Sequence, residues 1–212
     1  MRVTKIPGQI ADSVLSIAGI RIGTEEPHYV GMPVSDGVEV RRYGPRIAAE
    51  TTVTADEDRA RSIGFRRLAR YIFGGNHRDQ EIAMTAPVSQ QSGGRGDDIA
   101  MTAPVAQARQ SGDTWTIRFF MPSKWTMDTL PEPDGDDVTL VEVPGETVAV
   151  LRFTGDRGPS TVAAKTGELV ATLRDKHIEV TGEPVAWFYD PPWTLPFRRR
   201  NEIAVPVAHP AP

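Results

Sequence analysis

Two helical stretches, each framed by short alternating strands, set the tightest limit on what this chain can fold into. Apolar and polar residues alternate through VEVRRYGPRIAAETTV, residues 38–53, on either side of a Gly44-Pro45 break, which predicts strand, kink and strand. A helix follows, capped at or beside Asp56 and ended by Gly74-Gly75-Asn76, where a left-handed residue is expected. Strands are expected next over 82–88 and 114–121. After a breaker-rich surface loop over 122–137, the pattern restarts with strands over 138–143 and 147–153. A helix over 160–176 and strands over 185–189 and 202–207 complete it. Strand, helix, strand, strand therefore occurs twice, so the chain reads as two related halves with one helix each.

The first helix carries more apolar surface than a covering helix needs. At about 100° per residue, Ala60, Gly64, Leu68, Tyr71 and Ile72 share one arc, and Phe65, Ala69 and Phe73 extend it past the usual core stripe. Arg59, Arg66, Arg67 and Arg70 fill the remainder. In the second helix Val162, Thr166, Leu169, Val170 and Leu173 make one ordinary stripe, sized for a sheet alone. The surplus on the first helix, bordered by guanidinium groups, suits a flat apolar ligand with acidic groups at its edge.

The segment IAMTAPV occurs at 82–88 and again, letter for letter, at 99–105, with a polar, Gly-rich connection beginning at Ser89 between the copies. Pro87 and Pro104 cannot donate to a ladder and belong at an edge, bulge or strand end. Residues 24–37 read as an extended lead-in, and 10–18 as a short amphipathic helix. The expected organisation is a lead-in over 1–37, one domain over 38–207 and a frayed tail over 208–212.

At 212 residues with a net charge of −4, the chain is long enough for a substantial core and lacks the basic excess of a general nucleic-acid binder. It has no cysteine, which excludes disulfides, thiolate catalysis and thiolate haem ligation. Neither a signal peptide nor an 18-residue apolar run is read, so a cytoplasmic protein without a membrane span is expected.

Several pieces, in order, resemble the SOUL haem-binding proteins: VEVRRYGPR from Val38, GFRRLARYIFGGN from Gly64, IAMTAPV from Ile82, FFMPSKW from Phe119, LPEP from Leu130 and YDPPWTLPFRRRNEIAVPV from Tyr189. The resemblance covers nearly the whole chain after Val38. It implies an α+β fold: a twisted, largely antiparallel sheet or distorted barrel with two main helices in two pseudo-symmetric β-α-β-β halves. It also implies a likeness to the effector-binding domains of some bacterial regulators. The implied activity is haem or tetrapyrrole binding, without enzymatic turnover, as a carrier or buffer. The implied contacts map to Ser62, Phe65 and Ala69 on the first helix, with Arg70 beside them and Tyr189 from the C-terminal motif; Arg66 and Phe73 adjoin them on the helix. Where one family member places a proposed histidine ligand before the tyrosine of this motif, the present chain has Arg42. Arginine stays protonated and cannot coordinate iron.

His77, just after the first helix, is the remaining axial-ligand candidate, and a solvated loop histidine is its ordinary alternative. Met84 and Met101 read as sheet filling, and Tyr43, Tyr71 and Tyr189 as buried tyrosines with paired hydroxyls. Four scattered histidines give no zinc spacing, so no other metal is expected. No catalytic constellation emerges, and Asp190 and Glu202 have no partner identifiable from sequence. Two alternatives stay open: a regulatory or interaction domain taking another apolar ligand or a protein partner in the same cleft, and a haem-modifying enzyme.

Overall fold

The computed structural model describes residues 25–78, 80–92, 113–190 and 194–208. The second IAMTAPV copy, the amphipathic segment over 10–18 and the tail over 209–212 lie outside the described residues. Nine strands and two helices run in the order β1 (Tyr29–Ser35), β2 (Val38–Tyr43), β3 (Arg46–Thr54), α1 (Glu57–Ile72), β4 (Val88–Ser92), β5 (Thr114–Phe120), β6 (Thr139–Val143), β7 (Glu146–Phe153), α2 (Pro159–Asp175), β8 (Val185–Phe188) and β9 (Asn201–Pro206). They form one curled, antiparallel sheet in the order β1-β2-β7-β9-β8-β4-β5-β3-β6, giving the expected α+β class.

That order contains the repeat. About the β8–β4 boundary, β4, β5, β3 and β6 on one side correspond to β8, β9, β7 and β2 on the other. Each half is thus a β-β-α-β-β run, one strand longer than the unit counted in the sequence. Its first strand pairs with the second strand of the other half, β2 with β7 and β6 with β3. β1 has no counterpart: it adds to the outer edge of β2, from Tyr29 opposite Tyr43 to Ser35 opposite Val38. Of the lead-in expected over 24–37, Tyr29–Ser35 is extended and part of the sheet.

Both helices lie on one face. α1 buries Ala60, Gly64, Leu68, Tyr71 and Ile72, the arc read from the wheel, against β3 and β5. Ala49, Val53, Ile117 and Phe119 receive it. Gly64 is required there: a Cβ at that position would meet the Ile117 side chain at 2.8–2.9 Å. α2 buries Leu169 and Leu173 against β7 and β9, where Ala149, Leu151, Ile203 and Val205 pack. Val170, placed on this stripe from sequence, is instead 39% exposed.

The strand expected over 82–88 is corrected. Apart from an isolated bridge between Thr85 and Glu25, ladder pairing starts at Val88 and continues into residues read as connection. Before that point the polar groups are committed elsewhere: Ile82 donates its N–H to the Ile72 carbonyl and Ala86 to the Glu25 carbonyl, while the Thr85 hydroxyl donates to the Phe120 carbonyl. Pro87 has no N–H to offer. This stretch packs against the C-terminal part of α1 without joining the ladder, and Met84 is half-buried against the same core cluster.

Candidate functional site

The placement of α1 follows from its ends. The Asp56 side chain accepts from the Arg59 N–H at 2.9 Å, closing the first turn. At the other end Gly74 adopts φ 103° and the Gly75 N–H donates to the Arg70 carbonyl at 2.8 Å. The Asn76 side chain then donates to the Tyr71 and Gln80 carbonyls and locks the exit.

With the inner arc buried, the stripe Ser62, Phe65, Ala69 and Phe73 forms one flank of the helix. Phe73 is 62% exposed and Phe65 and Ala69 are half-buried. Phe65 spends part of its ring on an edge-on contact with Phe119, centroids 5.4 Å apart. Ser62 is exposed and donates its hydroxyl to the Asp58 carbonyl, the ordinary use of a helical serine. Arg66 and Arg70 are exposed and make no ion pair or hydrogen bond to the described residues. Arg67, also read as part of the arginine stripe, is occupied instead by Asp137 at 3.1 Å and the Thr52 carbonyl.

The remaining sequence candidates lie apart from this flank. His77 sits in an open cleft of about 960 Å³ at the C-terminal end of α1, between the loop carrying Met127 and Glu132 and the edge strand β6. Its Nδ1 is 3.4 Å from the Glu132 carboxylate, and both side chains are exposed. His177 takes φ 57° just past α2, a turn position. Among the described residues no group of three or more His, Asp or Glu is arranged to hold a metal ion.

Tyr189 belongs to the opposite face of the sheet. It is buried with Tyr43, Trp187 and Val150, and its hydroxyl donates to Glu202 Oε2 at 2.6 Å. Glu202 is the centre of a network that the sequence did not disclose. Arg41, itself buried, donates to both Glu202 oxygens, Nη1 to Oε2 at 2.6 Å and Nη2 to Oε1 at 3.0 Å. Arg200 Nε donates to Oε1 at 2.8 Å and its Nη1 reaches Glu26. Glu202 thus has three partners where none was identifiable, and Asp190 accepts from the Arg200 N–H at 2.6 Å. Burial alone would raise the Glu202 pKa; the hydrogen bonds and charge of Arg41, with Arg200 and Tyr189, outweigh it and hold the carboxyl below 4.5. Burial also pushes the Tyr189 hydroxyl well above its ordinary value. Every polar group in this network is satisfied internally, which makes it a structural core and not a poised acid or base. The signal in sequence was faint: Arg41 and Glu202 fall on the same strand face as Tyr43 and Ala204, but 161 positions separate them.

Comparisons with known proteins agree with this fold. The family described as SOUL heme-binding protein matches residues 24–95 and 90–206. The chain is 30% identical over 175 residues to mouse (Mus musculus) Heme-binding protein 2, covering 81% of this chain and 78% of that protein. It is 34% identical over 135 residues to the human (Homo sapiens) protein of the same name, covering 63% and 59%. Among solved structures, the EcmrR C-terminal domain superposes with a TM-score of 0.57 at 10% identity, over 85% of this chain and 98% of that one. A hydrolase from Listeria innocua superposes with a TM-score of 0.54 at 11% identity, over 87% and 93%. At such identities these two likenesses establish a shared fold. The family match spans the sheet, both helices and the α1 flank from end to end, and the chain belongs to the SOUL heme-binding protein family.

Proposed function

We propose that the protein binds a tetrapyrrole, haem or a close relative, on the exposed flank of α1 and serves as a non-enzymatic carrier or buffer in the cytoplasm. The observation that carries this reading is the unpartnered stripe itself: Phe73 open to solvent, Phe65 and Ala69 half-covered, and the free guanidinium groups of Arg66 and Arg70 on the outer side. These residues fit such a ligand in kind. Apolar side chains match the faces of a macrocycle, and arginine forks match carboxylates at its edge.

The donor set does not fit iron coordination. Arg42 stands where a histidine ligand is proposed in one relative, Tyr189 is committed to Glu202, and His77 lies beyond the helix beside Glu132. Haem would therefore be held as cargo, contributing its macrocycle and carboxylates and no protein-driven redox step. Covering the flank removes on the order of 200 Å² of apolar surface from water, worth about 5 kcal/mol. Association itself costs roughly as much, so moderate affinity follows, which suits a carrier better than a redox centre. Among the described residues no helix is long and apolar enough to cross a membrane.

The test is a hemin titration of the full chain followed by the Soret band and tryptophan fluorescence. Saturable change in both is expected, and Phe65→Asp should remove it while the variant still melts cooperatively. A spectrum identical to free hemin, with no quenching, refutes the proposal.

A further inference from the structure

The sheet ends at β1 on one side and β6 on the other, and the two edges are finished differently. β1 carries Pro33, and its register against β2 slips between Pro33 and Ser35; a proline and a bulge are usual means of keeping an edge from pairing. β6 has neither over Thr139–Val143. Which of its main-chain groups face outward follows from β3. The Met121 N–H donates to the Ile47 carbonyl, so Ile47 and Ala49 turn toward β5, while Arg46, Ala48 and Glu50 turn toward β6. Their partners Val143, Val141 and Thr139 are spent on that ladder. Leu140 and Glu142 therefore present N–H and C=O to the open side, where neither finds a partner among the described residues.

The cleft of about 960 Å³ lies along this edge, with Leu130, Val138, Leu140 and the exposed Met127 as its apolar lining. Its charge is one-sided. Asp128 and Asp136 line it, and their carboxylates make no ion pair or hydrogen bond to the described residues. Glu132 meets His77 at 3.4 Å, and Glu142, exposed, continues the strand face of Leu140. Arg78 is turned to the Thr129 carbonyl. A second copy of this edge would set acid against acid, so the partner it fits is basic.

We propose that β6 accepts an extended, basic peptide segment of another protein as an added strand, antiparallel to β6 and seated in this cleft. Main-chain hydrogen bonds run to Leu140 and Glu142, and every second side chain enters the cleft. The pattern that fits is a cation opposite Glu142, apolar residues opposite Leu140 and Val138, and a second cation beside Asp136. The site is separate from the α1 flank and takes a different class of ligand.

The probe is acetyl-Arg-Thr-Val-Thr-Leu-Thr-Arg-amide, which carries that pattern, titrated into the full chain and followed by ¹H–¹⁵N spectra and, with a fluorescein label, by anisotropy. Saturable shifts are expected at the Asp128, Asp136, Leu140 and Glu142 amides, with affinity falling as salt rises. Exchanging both peptide arginines for glutamate should abolish binding. N-methylvaline in place of the valine, which removes the central donor, should weaken binding about tenfold, the loss of one main-chain hydrogen bond. In the protein, Glu142→Gln should weaken binding several-fold. Glu142→Pro should weaken it by about tenfold or more, because the N–H it removes faces the open edge and not β3. If the proline variant melts early, the N-methylated peptide on wild type makes the same test. Absence of saturable shifts, shifts confined to the α1 flank, or equal binding of the N-methylated peptide and its parent overturns the proposal. So does a dimer that Glu142→Pro disperses while the peptide leaves the spectrum unchanged, which would assign the edge to a second copy.

Discussion

Replacing Glu202 by alanine is the sharpest test of how the sheet interior is held. The variant removes the acceptor of both Arg41 bonds, of Arg200 Nε and of the Tyr189 hydroxyl. Glu202 is fully buried and Arg41 is 2% exposed, so the stranded guanidinium has no water to turn to. Breaking a buried pair from one side costs about 3–5 kcal/mol. Glu39 and Tyr43 still accept from Arg41 at 2.7 and 3.3 Å, which places the loss toward the lower end of that range. For a chain of this length roughly 3 kcal/mol lowers Tm by about 6–12 °C. Urea denaturation of Glu202→Ala against wild type, at constant m-value, measures it. Pairing Glu202→Met with Arg41→Met should recover part of the loss, because a packed apolar pair leaves no unmatched charge. If Glu202→Ala costs under about 1 kcal/mol, or the double variant is worse than the sum of its parts, the network does not do what its geometry implies.

Acid should act through the same carboxyl. Its folded pKa is depressed, so its contribution is full above the ordinary value of 4.5 and is lost as pH falls through the lower folded value. Denaturation midpoints from neutral pH into that range should fall less steeply in Glu202→Gln than in wild type. At the alkaline end, burial pushes Tyr43 and Tyr71 up to about 12, and the stability tied to their neutral phenols is present below pH 10 and lost toward pH 12; phenolate absorbance during alkaline unfolding reports it. Gly64→Ala should cost about 1–3 kcal/mol by overpacking against Ile117, and Asp56→Ala about 1 kcal/mol through the lost cap, both read from thermal melts. Neither substitution touches the exposed flank, so hemin binding by the folded fraction should persist in both.

Local patterns in the sequence were enough for most of the elements. The Gly44-Pro45 break, the α1 ends and the 3.6-residue arc ending at Ile72 reappear in the structure because each depends on neighbours within a few residues. The repeat was legible for the same reason, but its meaning was not: which strand of one half crosses to the other is decided by long-range pairing, such as β2 with β7. IAMTAPV misled because its alternation is strand-like, while the Thr85 hydroxyl and the Ile82 and Ala86 N–H groups find partners outside any ladder. On α1 the wheel separated the buried arc from the flank correctly. It overstated the difference between the helices, since Phe65 packs partly on Phe119 and Val170 of α2 is also exposed. Nothing in a local window predicts the Arg41–Glu202 pair, made by the register of distant strands.

The central claim, a tetrapyrrole lying on the α1 flank without an axial protein ligand, is tested most directly by the paramagnetic footprint of hemin on the amide spectrum of the full chain. The account predicts line broadening centred on Ser62, Phe65, Arg66, Ala69 and Phe73, and little change in affinity for metal-free protoporphyrin. Broadening centred instead on His77, Met127 and Glu132, with affinity that collapses when the iron is removed, would contradict it.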